Sequence, residues 1–74
     1  MKKFSVVIAH RHATSISLED EFYQALVTLA NEQNIPLNAL ITKIDSTRAE
    51  NNLSSALRVY VLKALQQKLQ SELK

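Results

Sequence analysis

The sequence has no cysteine, no glycine, no tryptophan and a single proline, Pro36. Without cysteine there can be no disulfide framework, no thiolate-bound zinc and no thiol nucleophile. Without glycine the chain cannot build a Walker-type phosphate loop or a dinucleotide fingerprint, since both need glycine where backbone approaches phosphate. Aromatic residues make up only 5% of the chain. No apolar run approaches the roughly 18 residues of a membrane span, and the first residues lack the apolar core of a signal peptide. The expectation is therefore a cytoplasmic chain with no membrane segment.

What is present is a short globular composition: 74 residues, 46% hydrophobic and 22% charged. That length allows one small domain, and a core of that size is marginal when disulfides cannot staple it. Association with a second copy is the expected remedy. The net charge of +2 conceals an uneven distribution. Residues 1–12 carry Lys2, Lys3 and Arg11 and no acid, and residues 53–74 carry Arg58, Lys63, Lys68 and Lys74 against Glu72 alone. The acids Glu19, Asp20, Glu21, Glu32, Asp45 and Glu50 all fall between those segments. Both ends can meet a polyanion and the middle cannot. An ordinary solvated surface accounts for the same charges.

Periodicity divides the chain. Residues 4–8 (Phe-Ser-Val-Val-Ile) suit either a flexible arm or an accessory strand. From Ala13 to Leu18 apolar and polar residues alternate, with Thr14, Ile16 and Leu18 on one face and Ala13, Ser15 and Ser17 on the other, as in a half-buried strand. The period then changes: Phe22, Ala25, Leu26, Leu29 and Ala30 follow helical spacing. Glu19, Asp20 and Glu21 crowd the first turn, where the helix dipole favours anions, and Ser17 with Asp20 resembles a capping pair. Asn34-Ile35-Pro36 ends this helix. A second helix, with Leu37, Leu40, Ile41 and Ile44 on its apolar side, is expected to stop near Thr47. Residues 48–52 read as a loop in which Asn52 caps a third helix over 53–74. Val59 and Leu62 widen the apolar surface of that helix beyond one stripe, so cover is expected on two of its sides.

The chain thus reads as mainly α with one convincing short strand, and a strand needs a partner for its backbone groups. With no second strand evident at hairpin distance, pairing with the same strand of another copy answers the need. It would join the helices of both chains around Thr14, Ile16, Leu18, Phe22, Leu26, Leu40, Ile41 and Ile44, the expected dimer core. The small polar face left outside suits a DNA major groove.

Strand, helix, turn, helix at these lengths resembles the ribbon-helix-helix proteins of the Arc/MetJ type, homodimeric bacterial DNA-binding regulators. Thr14 to Phe22 looks like that family's strand and helix start, and Pro36 to Ile41 like the start of its second helix. Asn52 to Leu62 is similar to a subgroup of short members with an extra C-terminal helix. The resemblance implies an intertwined homodimer with an intermolecular two-stranded antiparallel ribbon, a core over 13–47, and residues 1–12 as a basic arm or accessory strand. It implies that Ala13, Ser15 and Ser17 face base edges. It further implies that the backbone amides of Leu37, Asn38 and Ala39 hold a phosphate. Family members often carry a long basic or amide side chain where this chain has Ala13. Arg11 shares that strand face by period-two counting, and its guanidinium fork suits a guanine. Lys2 and Lys3 are the expected phosphate contacts of the arm.

Other chemistry finds little support. His10 and His12 lack a third ligand nearby, so no metal or cofactor is expected. Ser54 and Ser55 have no base at a recognisable spacing and suit a helix start. The chain is expected not to be an enzyme but a transcription regulator, a repressor that occupies an operator by inserting a ribbon into the groove. The alternative is an antitoxin-like or adaptor module whose C-terminal helix binds a partner protein, with Tyr60 and the apolar band serving as docking surface instead of core.

Overall fold

A computed structural model of the chain describes residues 1–8, 12–47 and 52–72. Within these, two strands precede three helices: β1 (Lys2–Ile8), β2 (His12–Leu18), α1 (Asp20–Glu32), α2 (Leu37–Thr47) and α3 (Leu53–Glu72). The strands form a two-stranded antiparallel sheet in register Phe4↔Ile16, Ser5↔Ser15, Val6↔Thr14 and Val7↔Ala13. Of the two uses open to residues 4–8, flexible arm or accessory strand, the chain takes the strand, so the one convincing strand becomes two. Residues 2–8 supply β2 with a partner from its own chain, so the backbone groups along one of its edges are paired without a second copy. The alternation in β1 is easily missed, because Val7 is apolar yet points outward with Ser5 while Val6 and Ile8 are buried.

The inner face of the sheet lies on the helices. Val6, Ile8, Ile16 and Leu18 join Leu26, Leu29 and Ala30 of α1, Leu40, Ile41 and Ile44 of α2, and Ala56, Leu57 and Val61 of α3 in one apolar cluster. Phe22 and Phe4 pack against its margin, and Thr14 is half-buried. Most of the residues expected to form a dimer core are therefore already covered within one chain.

The helix ends show how a chain without glycine turns. After α1, Asn34 takes φ 58°, the left-handed conformation that asparagine tolerates better than most residues. Its N–H donates to Asn31 O and that of Ile35 to Ala30 O, the paired bonds of a Schellman ending. Pro36 then opens α2, its carbonyl accepting the Leu40 amide. Asn52 caps α3 as its side chain implies, Oδ1 accepting from Ser55 N at 3.1 Å. The expected capping pair of Ser17 and Asp20 does not form. Glu19 is the N-cap of α1, without a side-chain bond to the helix, because β2 runs to Leu18 and the helix starts two residues later than that pair requires. The C-terminal half of α3 extends past the core, leaving Leu62, Leu65 and Leu69 at 55%, 50% and 57% exposure. Among the described residues, nothing covers the second side expected for this helix.

Leu18, at the end of β2, is fully buried in the core cluster that the sheet shares with the helices. Leu18→Ala is expected to cost about 2–5 kcal/mol, the range for a buried leucine whose cavity only partly collapses. Urea denaturation followed by circular dichroism measures the loss; a cost below about 1 kcal/mol would contradict this packing.

Candidate nucleic-acid interface

Because side chains alternate along a strand, burying Val6, Ile8, Ile16 and Leu18 turns Lys3, Ser5, Val7, Ala13, Ser15 and Ser17 to the opposite face of the hairpin. Five of the six are exposed and Ser17 is half-buried. Across the strands Lys3 stands opposite Ser17, Ser5 opposite Ser15, and Val7 opposite Ala13. A shallow depression of about 200 Å³ lies among Lys3, Ser5, Ser15 and Ser17, with Phe4 and Ile16 completing its lining. This surface offers hydroxyls, one ammonium and two small apolar groups, and no carboxylate. It has the chemistry to hydrogen-bond base edges or phosphate oxygens without repelling them.

Sequence reasoning placed Ala13, Ser15 and Ser17 on one face but did not find Ser5 and Val7 beside them. The signal was the alternation of Phe4, Val6 and Ile8, blurred by Val7. Arg11 and His10 lie outside the described residues, as does the side chain of His12. Lys2 is exposed, its ammonium 5.2 Å from the centre of the Tyr23 ring, and that ring meets Phe4 edge-on at 5.0 Å. These contacts fasten the start of β1 to α1.

α2 begins beside the hairpin, and Asn38 fixes it there. Val7 N–H donates to Asn38 Oδ1 and Asn38 Nδ2 donates to Val7 O, both at 2.8 Å. The amide thus behaves as one residue of a neighbouring strand along the outer edge of β1. The amide of Leu40 is taken by Pro36 O. Those of Leu37, Asn38 and Ala39 belong to the first turn, where a helix has no partners of its own to give, and Pro36 brings no capping side chain. At the other edge, Ser54 Oγ donates to Ser17 O at 3.3 Å, and a cleft of about 330 Å³ runs beside Thr14–Ile16 to Asp45, Asn52 and Leu53.

One ion pair braces the junction of β2 and α1. Arg58 of α3 donates through Nε to Glu19 Oε1 at 2.9 Å and through Nη2 to Oε2 at 3.3 Å. The guanidinium's hydrogen bonds hold the Glu19 carboxyl below the usual carboxylate range. Neither the spacing nor the charge pattern pointed to this pair, because the two residues are 39 positions apart.

A family model described as a ribbon-helix-helix domain matches residues 1–65. The chain belongs to the ribbon-helix-helix family. Domains of this family are, in general, non-enzymatic DNA-binding regulators that form dimers. The search against curated proteins returned no match, nor did the search against solved structures. Among the described residues no helix is long and apolar enough to cross a membrane. None of their His, Asp and Glu side chains gather in groups of three that could hold a metal ion.

Because the Glu19 carboxyl is easier to ionise in the folded chain, its pairing stabilises the fold above the ordinary carboxylate range and is lost as pH falls through the lowered value. Glu19→Gln should therefore flatten the acid limb of the stability curve and leave the neutral-to-alkaline shape unchanged. Thermal melts of parent and variant across pH check this; parallel acid limbs would contradict it.

Proposed function

We propose that this ribbon-helix-helix chain is a homodimeric, sequence-selective DNA-binding regulator that represses transcription by occupying an operator. The observation that carries the reading is the joint placement of two surfaces. The outward face of Ala13, Ser15 and Ser17 is small, polar and free of acids, and Asn38 pins the uncapped start of α2 to the edge of the same sheet. The strand face enters the major groove and its side chains contact base edges, and Arg11, two positions before Ala13 in the sequence, is the further candidate base reader. The amides of Leu37, Asn38 and Ala39 bind a backbone phosphate beside the groove, and Lys2 and Lys3 add positive charge. Phosphate contacts set register while strand side chains discriminate sequence. No bond is made or broken in this role. A compact chain of this kind, with no membrane-crossing helix among the described residues, acts where DNA is, in the cytoplasm of a bacterium.

A second reading rests on a different observation, the exposed leucines of α3. Leu62, Leu65 and Leu69 lie on one side of the helix beyond the core, a stripe that a partner protein's helix fits. In that reading the domain is an antitoxin-like or adaptor module and DNA is secondary.

A gel shift with random duplex at two salt concentrations separates the readings. The first expects binding at low salt that falls steeply as salt rises; no shift at low salt favours the second. Ala39→Asp tests the phosphate position without disturbing the bond from Asn38 to Val7. An acid in the first turn favours the helix dipole, so stability should hold or rise while affinity falls by a similar factor on every duplex. Unchanged affinity at low salt would remove α2 from the interface.

A further inference from the structure

We infer that β1 is a removable stand-in for the β2 strand of a second copy, so that the chain closes its own ribbon when alone and must release β1 to form the DNA-reading dimer. This rests on the homodimeric DNA-binding reading above. Its basis is a match of register. The bonds from Val7 to Asn38 show that the odd residues of β1 turn their backbone groups outward, so those of Phe4, Val6 and Ile8 turn toward β2. The same alternation turns the even residues of β2 toward β1. A second copy of β2 laid antiparallel on that edge, Ser15 opposite Ser15, meets every one of these requirements. Its Leu18 takes the place of Ile8, its Ile16 that of Val6, and its Thr14 that of Phe4, all on the buried face. On the outward face its Ser15 replaces Ser5 and its Ser17 replaces Val7, whose backbone Asn38 holds.

Width decides between exchange and simple addition. If β1 stayed and the second copy paired on the other edge of β2, the sheet would have four strands. Spaced about 4.8 Å apart, its outer strands would lie about 14 Å from each other, more than the roughly 12 Å of a major groove. That edge is also engaged at one end, where Ser54 donates to Ser17 O, and α3 begins against it. Two β2 strands alone, about 5 Å apart, fit the groove. A dimer that reads bases with Ser15 and Ser17 from both copies therefore requires β1 to leave.

The exchange is uphill for the protein alone. Two hairpin ladders are given up for one shared ladder, and Phe4, Val6 and Ile8 lose the cover they have in the closed chain. DNA that binds only the exchanged dimer supplies the difference by mass action. The released segment carries Lys3 and Lys2, the latter now free of the Tyr23 ring, and both can reach phosphates beside the ribbon. β1 is thus an intrachain inhibitor before release and a basic arm after it.

A disulfide lock tests this in the full chain. The protein has no cysteine of its own, and Ser5 and Ser15 face each other in a non-hydrogen-bonded pair, a spacing that a disulfide spans. Ser5→Cys/Ser15→Cys, oxidised at low protein concentration, joins β1 to β2 within one chain. The locked protein should remain a monomer in sedimentation even with excess duplex, where its reduced form assembles as a dimer on the DNA. It should bind a duplex selected with the parent at least about tenfold more weakly than its own reduced form, which controls for both substitutions. In the presence of that duplex, reductant should restore the DNA-bound dimer and the affinity together. Ser15→Cys alone, oxidised at high protein concentration, should give a covalent dimer. A locked protein that dimerises and binds as tightly as its reduced form would overturn the exchange. If parent and reduced variant bind no duplex at all, the DNA reading fails separately. The exchange is then judged by the covalent Ser15→Cys dimer, whose absence would overturn it.

Discussion

Each edge of β2 can serve one strand at a time, and the arrangement of the chain follows from that. Backbone donors and acceptors removed from water must be paired. Here the even residues of β2 are paired by β1, which brings Phe4, Val6 and Ile8 over the helices in the same stroke. The pairing both completes the core and presents the outward face of Lys3, Ser5, Val7, Ala13, Ser15 and Ser17. Stability and the candidate interface are therefore two faces of one hairpin. Anything that replaces β1 must supply the same inward apolar pattern.

The helices act mainly as mounts for this hairpin. Asn34, in the left-handed conformation that glycine would ordinarily take, reverses the chain so that α2 starts beside the sheet. Asn38 then binds the edge of β1 through both groups of its amide, which is why the start of α2 lies level with Val7. α3 reaches back to the end of β2 through Ser54 and Arg58. A second ion pair, Lys68 of α3 with Glu32 of α1, ties α3 to the far end of α1. Both ion pairs are partly exposed, and pairs of this kind contribute little individually. Their value is in position, since they join residues distant in sequence around a small core.

Much of this was legible in the residues, and the exceptions have physical causes. The helices announce themselves by spacing, because Leu26, Leu29 and Ala30, then Leu40, Ile41 and Ile44, recur with the helical period and are buried as that period requires. Asn52 was readable as a cap because a short polar side chain before a helical run has one obvious use. β2 was readable because its alternation is unbroken. β1 was not, since Val7 interrupts the pattern and an apolar run of that length suits an arm as well as a strand. Asn38 enters as a phosphate contact only through the family resemblance, while its bond to Val7 depends on a tertiary approach that periodicity cannot express. The pairing of Glu19 with Arg58 was hidden for the same reason. The outward serines share a common face by counting alone; the role toward DNA proposed for them rests on the surface they share with α2.

The central claim is that β2 changes partners when DNA binds, and amide hydrogen exchange reads this directly. In the free chain the amides of Phe4 and Val6 point into the hairpin and should be protected along with those of β2. On adding a duplex selected for tight binding, the account predicts that Phe4 and Val6 lose protection while Thr14 and Ile16 keep or gain it. Continued protection of Phe4 and Val6 in the fully bound complex would contradict it.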